Sequence, residues 1–331
     1  MNGPLQELPI GVQTFSEIAK DSLLYVDKTA YFAEMISRHG TKAWFLARPR
    51  RFGKSLTVST LKALLSGQKK FFKGLAIEKR LNEKLFAPRP VVRLDMSYAQ
   101  TDQGIEEFRR SLGRLTSSSA VWQGKKRSLA RLISSSPKPF HFKPAANLSP
   151  AEILSGLIEK LATESGSPVA VLIDEYDKPY LDLIKAPEEA EKVREALRAF
   201  YTTLKASDEH ISFIFITGIG KFTRMGVFSA MNNLRDISIS SEYAAICGFT
   251  HEELVGEFGA QVEDAARKQG KKRMICLMNL GIIMMDFLLT EKRASIILFP
   301  LYSFSLKNNS IITGSIAEAR EQLRNISKII A

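Results

Sequence analysis

The chain has 331 residues, is 45% hydrophobic, and carries a formal net charge of +12. This length and apolar content are enough for one large buried core or two smaller ones. Two cysteines, Cys247 and Cys276, exclude both a disulfide framework and a cysteine-based metal site. Residues 1–7 lack the basic and apolar regions of a signal peptide, and polar residues interrupt the longest apolar run, 274–289. We therefore expect a cytoplasmic protein with no membrane span.

Taken in chain order, apolar strands alternate with helical periodicity. A helix is predicted shortly before an apolar strand at 43–47, and a second helix after it at 55–65. Further apolar runs indicate strands at 91–95, 169–173 and 211–216, with an amphipathic helix at 188–205. This alternation predicts an α/β three-layer sandwich with a mostly parallel central sheet. Right-handed crossovers would then place the loop that follows the first strand and the acidic strand at 169–173 side by side.

The run Arg-Pro-Arg-Arg-Phe-Gly-Lys-Ser, at residues 48–55, follows the first strand and has the form of a phosphate-binding loop. In the pattern G-x-x-x-x-G-K-[ST], loop amides surround the phosphates, Lys pairs with their charge, and Ser or Thr holds Mg²⁺. Arg48 stands where the first glycine is expected. The alternative is a helix N-terminus with a solvated lysine. The predicted nucleotide-binding residues are Arg48, Pro49, Arg50, Arg51, Phe52, Gly53, Lys54 and Ser55.

Acidic residues end the apolar run at 169–173, where ligands of open α/β sheets bind. Asp174 would hold Mg²⁺ through water together with Ser55, and Glu175 would polarise the attacking water. The alternative is a strand followed by an acidic turn. Thr217, at the end of the strand at 211–216, could contact the γ-phosphate or position the water, although Thr before Gly is also ordinary turn chemistry.

Several segments resemble the bacterial AAA-ATPase-like family of P-loop ATPases, from about residue 8 to residue 270. They read LPIGVQTF at 8–15, YVDKT at 25–29, FLARPRRFGKSL at 45–56, VLIDEYDKP at 171–179, NNLRDI at 232–237 and CGFTHEEL at 247–254. In this family Arg-Pro-Arg-Arg replaces the first loop glycine. The resemblance implies ATP and Mg²⁺ as cofactors and assigns the roles above to Lys54, Ser55, Asp174 and Glu175. Members usually carry a PD-(D/E)XK nuclease-like domain after the ATPase domain.

Arginines near the loop are candidates for contact with a triphosphate. A planar guanidinium can bind phosphate with two hydrogen bonds, so Arg48, Arg50 or Arg51 could act as an arginine finger. The alternatives are that they pair with acids such as Asp95 or Asp177, or simply steer the ligand. Arg224, shortly after the third strand, is a further finger candidate.

The positive charge is concentrated in two blocks, which weakens the case for a nucleic-acid partner. Residues 108–151 contain nine Lys or Arg and no acid, and residues 267–331 contain eleven against four. The rest of the chain is therefore net negative. Both blocks also interrupt the family pattern. The middle block is either a genuine basic, flexible insertion or sequence translated out of frame.

For the tail we hypothesise a frameshift near residues 268–273. Read two bases later, the codons for residues 281–287 permit Trp-x-Tyr-Tyr-Asp-Gly, which resembles a motif of the family. In the same frame residues 295–299 permit Tyr-Asn-Pro-Phe and residues 311–315 permit Asn-Tyr-Trp-Phe, also similar to the family. The alternative is a genuine helical, apolar tail.

These observations predict an AAA-ATPase-like P-loop domain at residues 1–250, with 108–151 as the basic insert. A truncated C-terminal region would follow at 251–331, of which 270–331 is an out-of-frame, irregular tail. The predicted function is Mg²⁺-dependent ATP binding and hydrolysis, with oligomeric state and coupled task open. The alternatives are a nucleotide-gated switch or nucleic-acid-acting protein coupled to a lost nuclease-like domain, and a degenerate gene product.

Sequencing the gene tests the frameshift. We expect the codons actually used at 281–287, 295–299 and 311–315 to spell the three family-like peptides in the shifted frame. Codons that cannot spell them in that frame would refute the hypothesis.

Overall fold

A six-stranded sheet forms the centre of the computed structural model, which describes residues 6–80, 86–121, 142–145, 147–221 and 234–268. The spatial order is β3-β2-β4-β5-β1-β6. Five strands run parallel, and β3 pairs with β2 in the antiparallel sense. The predicted, mostly parallel sheet is therefore confirmed. The strands are β1 (Ala43–Ala47), β2 (Val91–Asp95), β3 (Ala120–Val121), β4 (Val169–Asp174), β5 (Ile211–Gly218) and β6 (Leu234–Asp236).

The loop after β1 lies beside the acidic end of β4, as predicted, although one strand separates β1 from β4. β1 and β4 are not neighbours, because β5 lies between them and pairs in parallel with both. In this register Leu46 of β1 lies beside Thr217 of β5. A polar residue on the intervening strand can thus reach the acidic end of β4 from the side that faces β1.

Helices cover both faces of the sheet. The helices are α1 (Phe15–Lys20), α2 (Thr29–Ser37), α3 (Lys54–Leu65), α4 (Gly104–Ser118), α5 (Pro150–Ser165), α6 (Lys178–Asp182), α7 (Pro187–Ala206), α8 (His251–Glu257) and α9 (Gly259–Lys268). Short 3₁₀ turns occur at Lys69–Phe72, Ala76–Arg80, Met96–Tyr98, Asp208–His210 and Ser241–Tyr243.

Alternating strand residues enter two separate apolar cores, because successive side chains of a strand point to opposite faces. Trp44 and Leu46 pack with α1, α2 and α3 on one face. Phe45 packs with α4, α5 and α7 on the other. Both faces being covered, β4 is buried along its whole length, which is typical of a parallel sheet. The three-layer α/β sandwich is confirmed.

The basic block at 108–151 is partly visible. Its first residues complete α4 and form the edge strand β3, and Phe108 and Leu112 are fully buried in the core. Residues 122–141 lie outside the described ranges, so the origin of the block stays a prediction. The arginines of α4 form ion pairs with glutamates of the same helix, and these arginines are Arg109, Arg110 and Arg114.

Gly218, the last residue of β5, lies directly against the side chains of Tyr176 and Asp177. A Cβ atom there would meet ring atoms of Tyr176 at 2.5 Å and Asp177 Oδ1 at 2.8 Å. Both neighbours are buried, so neither can easily move away.

We predict that Gly218→Ala destabilises the fold by about 2 kcal/mol, because the added methyl overpacks a closed site. The matched control is Gly156→Ala in α5, where the new methyl would lie 3.7 Å from the ring of Phe142. That change should be stabilising by about 0.5–1 kcal/mol, since alanine favours a helix interior. Urea unfolding of both variants measures the difference. Equal stabilities would show that the close approach is not a constraint.

Candidate functional site

The loop between β1 and α3, residues 48–53, passes over the carboxyl end of the sheet. Two of its residues have left-handed backbone, Arg51 with a φ of 67° and Gly53 with a φ of 85°. The Arg48 N–H donates to Gly218 O at 3.1 Å, which extends the pairing of β1 with β5 into the loop. Helix α3 begins immediately after Gly53. The loop therefore places the N-terminus of a twelve-residue helix at the sheet edge.

Lys54, the first residue of α3, reaches back into the loop. It is only 5% exposed, and its Nζ donates to Pro49 O at 3.0 Å. Burial lowers the pKa of Lys54, while the nearby carboxylates of Asp174 and Glu175 act in the opposite direction. The lysine is thus held inside the loop beside the acidic end of β4.

The three arginines of the loop do not act together. The Arg48 guanidinium donates to Ala47 O at 3.0 Å and to Ser238 O, and its side chain is buried. Arg50 and Arg51 are exposed and line a cavity. Arg48 therefore fastens the loop to the segment after β6, whereas the other two guanidinium groups face the solvent-accessible site.

Asp174, the last residue of β4, is fully buried. Its Oδ1 accepts from Thr217 Oγ1 at 2.6 Å and from the Glu175 N–H at 3.1 Å. Among the residues that the structure describes, Oδ2 has no hydrogen-bond partner. A buried carboxylate oxygen without a partner costs free energy, which indicates a further ligand at this position.

Glu175 has left-handed backbone, with a φ of 52°, and lines the cavity. Such a conformation is strained for a glutamate and is found most often at functional sites. Burial and the adjacent Asp174 raise the pKa of Glu175, and Lys54 partly opposes this. Its carboxylate is therefore a stronger base than an exposed glutamate.

Hydrogen bonds join the segment after β4 to the end of β5. Tyr176 donates from its N–H to Thr217 O at 2.9 Å and from its hydroxyl to Gly220 O at 2.9 Å. Asp177 Oδ2 accepts from the N–H groups of Ile219 at 2.9 Å and Gly220 at 3.1 Å. These contacts hold the two strand ends as one unit. They depend on the Tyr-Asp pair of the Asp-Glu-Tyr-Asp run, in which the sequence suggested Asp177 only as a partner of the loop arginines.

The donor set suits Mg²⁺, which prefers a few carboxylate or hydroxyl oxygens and keeps waters or phosphate oxygens for its other positions. Asp174 offers the unpartnered Oδ2, and Ser55 lies in the first turn of α3 and lines the cavity. Within the described ranges, no three His, Cys, Asp or Glu residues group as a metal site. The residues present therefore fit a magnesium ion whose other coordination positions would be filled by water or phosphate oxygens.

A cavity of about 600 Å³ opens beside the loop. The residues that line it include the cationic side chains of Lys28, Arg50, Arg51 and Lys54 and the carboxylate of Glu175. Its size lies within the range of about 300–1,000 Å³ typical of small-molecule sites. An excess of cations favours an anionic ligand.

Most of the predicted site residues meet at this edge of the sheet, but not all. Arg50, Arg51, Lys54, Ser55 and Glu175 line the cavity, as do Phe52 and Gly53. Thr217 is directed at Asp174, and Arg48 at backbone carbonyls. Arg224 lies outside the described residues, as does the tail at 270–331.

A parallel sheet flanked by helices, with a glycine-lysine-serine loop between its first strand and the next helix, defines the P-loop NTPase-like class of fold. Residues 9–228 match the AAA-ATPase-like family, described as "Predicted AAA-ATPase". The chain belongs to this family.

A relative from Azotobacter chroococcum mcd 1, with the name "Uncharacterized protein in vnfD 5'region", is 34% identical over 265 residues. The match covers 80% of this chain and 47% of the relative, so the chain spans about half of that protein's length. Along the ranges that the structure describes, no helix has the length and apolar character needed to cross a membrane.

The buried Asp177 predicts a pH dependence of stability. Burial raises its pKa from 3.8 to about 6, against the effect of its backbone hydrogen bonds. The native state then holds this proton more tightly than the unfolded state does. The contribution of this proton to the free energy of unfolding is fully present below pH 3.8 and is lost as the pH rises through about 6.

We expect the wild type to lose about 3 kcal/mol of stability relative to Asp177→Asn between pH 3.5 and pH 7. Chemical unfolding of both proteins across this range gives the difference, in which the other titrating groups cancel. A difference that does not change with pH would contradict the assignment.

Proposed function

We propose that the protein is a cytoplasmic, Mg²⁺-dependent ATPase that binds ATP at the carboxyl end of the sheet. The observation that carries the proposal is the buried Asp174, whose unpartnered Oδ2 lies at the same sheet edge as Lys54 and the start of α3. Residues 1–250 would form the ATPase domain, followed by a C-terminal region at 251–331.

In this proposal the β- and γ-phosphates lie at the N-terminus of α3, where backbone N–H groups and the helix dipole favour anions. Lys54 would exchange its hydrogen bond with Pro49 O for the phosphates. Arg50 and Arg51 line the cavity and would add guanidinium contacts to phosphate oxygens. Arg224 remains a candidate arginine finger.

Ser55 and Asp174 would hold magnesium, which supplies charge neutralisation at the β- and γ-phosphates. Thr217 has a positioning role, since its hydroxyl fixes Oδ1 of Asp174 and leaves Oδ2 for the metal shell. The contact with the γ-phosphate or the positioning of the water, which the sequence suggested for Thr217, stays a prediction.

Glu175 would orient and polarise the attacking water. Its raised pKa brings it nearer to neutral pH, where a general base is most effective. Its left-handed backbone is held by the bonds of Tyr176 to the end of β5, so the carboxylate has a fixed direction. Catalysis would then rest on positioning and electrostatic stabilisation, as in other phosphoryl transfers.

Two substitutions separate binding from turnover. Lys54→Ala should weaken ATP binding about a hundredfold, because the buried phosphate charge loses its cation. Glu175→Gln should leave binding within about twofold and lower kcat at least about a hundredfold. Calorimetric binding and steady-state phosphate release measure the two effects.

Lys62→Ala, on the same helix but outside the cavity lining, is the matched control for Lys54. Exposed Glu209→Gln is the control for Glu175. Equal ATP turnover in the wild type and Glu175→Gln would reject the role of Glu175, and unchanged binding in Lys54→Ala would reject the phosphate site.

A further inference from the structure

Three segments of the chain meet at the cavity although phosphate chemistry does not require them. They are the Leu-Pro-Ile-Gly-Val-Gln run that begins at Leu8, the Tyr-Val-Asp-Lys run at 25–28, and the Cys-Gly-Phe run at 247–249. Each contains residues that line the same cavity as Lys54 and Ser55. In the sequence, all three runs belong to the segments that resemble the family.

The part of the cavity formed by these segments differs chemically from the loop. The N-terminal segment, residues 8–13, contributes apolar side chains, among them Ile10 and Val12. The other segment, residues 246–258, contributes Phe249 and Phe258, whose ring centroids lie 5.0 Å apart at an interplanar angle of 69°. An apolar surface with aromatic rings is suited to a flat heteroaromatic ligand.

One ion pair connects the run at 25–28 to residues 246–258. Lys28 is 7% exposed, lines the cavity, and donates from Nζ to both carboxylate oxygens of Glu253 on α8. Glu253 also accepts from the Thr250 N–H at 2.8 Å, and its own N–H donates to Thr250 Oγ1 at 3.2 Å. This reciprocal pair is a capping box that fixes the start of α8. A second contact, from Gln261 Nε2 to Gln6 O at 3.1 Å, ties α9 to the chain just before the N-terminal segment.

We propose that the part of the cavity between residues 8–13, 25–28 and 246–258 binds the base and ribose of the nucleotide, with the Lys28–Glu253 pair holding the run at 25–28 against residues 246–258. We call this part the nucleoside chamber. The inference rests on the proposed nucleotide binding and adds the location of the nucleoside. Continuity with the loop supports it, because one cavity contains both the phosphate-facing cations and the aromatic pair.

The first test compares ATP with inorganic tripolyphosphate on the full chain, with Glu175→Gln present to prevent turnover. ATP should bind at least about tenfold more tightly, because only ATP fills the nucleoside chamber. Equal affinities would overturn the chamber. Lys54→Ala should weaken the binding of both ligands. If it weakens the binding of neither, the phosphate site is wrong. Equal affinities of ATP and tripolyphosphate, by contrast, would reject only the nucleoside chamber.

The second test removes both members of the ion pair, so that neither is left as an unpaired buried charge. In the double variant Lys28→Met with Glu253→Gln, glutamine can still complete the capping box. ATP affinity should fall about tenfold and tripolyphosphate affinity should change less than about twofold. Lys28→Arg keeps the charge and should bind ATP nearly as the wild type does. Equal losses for both ligands, or no loss for either, would overturn the role of the pair.

Ile10→Ser provides a variant with little risk to folding, since Ile10 is 59% exposed while lining the cavity. It should lower the affinity for ATP about threefold and leave the affinity for tripolyphosphate unchanged, because a polar side chain replaces an apolar contact with the base. An unchanged ATP affinity would show that the N-terminal wall does not contact the nucleoside.

Discussion

The burial of one carboxylate, that of Asp174, is the constraint on which the rest of the site depends. An ionised carboxylate removed from water is costly unless hydrogen bonds replace its hydration. The Thr217 hydroxyl and the Glu175 N–H supply two of these bonds. Thr217 can reach Asp174 only because β5 lies between β1 and β4. The strand order therefore decides which side chains can satisfy the buried carboxylate at the strand ends.

The same constraint accounts for the close packing around the end of β5. The N–H and hydroxyl of Tyr176 and the carboxylate of Asp177 engage the backbone at 217–220, which draws the two strand ends together. Gly218 has no side chain where this contact is closest. The hydroxyl of Tyr201 on α7 donates to Tyr176 O at 2.9 Å and anchors the unit to the helical layer. A strained residue such as Glu175 persists where its neighbours fix the backbone on both sides.

Local patterns predicted the elements well, because apolar periodicity and the loop motif are local properties of the chain. The helix expected at 188–205 is observed as Pro187–Ala206, and the strand at 91–95 has the expected bounds. The full order of the strands was not predicted, because it depends on contacts between distant segments. The direction of the Thr217 hydroxyl and the burial of Arg48 could not be read for the same reason. The Thr217 hydroxyl points to the Asp174 carboxylate, and the Arg48 guanidinium to the backbone carbonyl of Ser238. Both partners are distant in sequence and are brought close only by the fold.

Arg48 has a consequence for where this domain can be cut. The family match ends at residue 228, yet the Arg48 guanidinium donates to Ser238 O, and β6 completes the sheet beside β1. A fragment that stopped at residue 228 would expose the outer edge of β1 and leave a buried guanidinium without this carbonyl. The smallest self-sufficient unit of this architecture therefore extends past the family match, to Ser238 at least. Expression of a shorter piece would yield an open strand edge, which is a known route to aggregation.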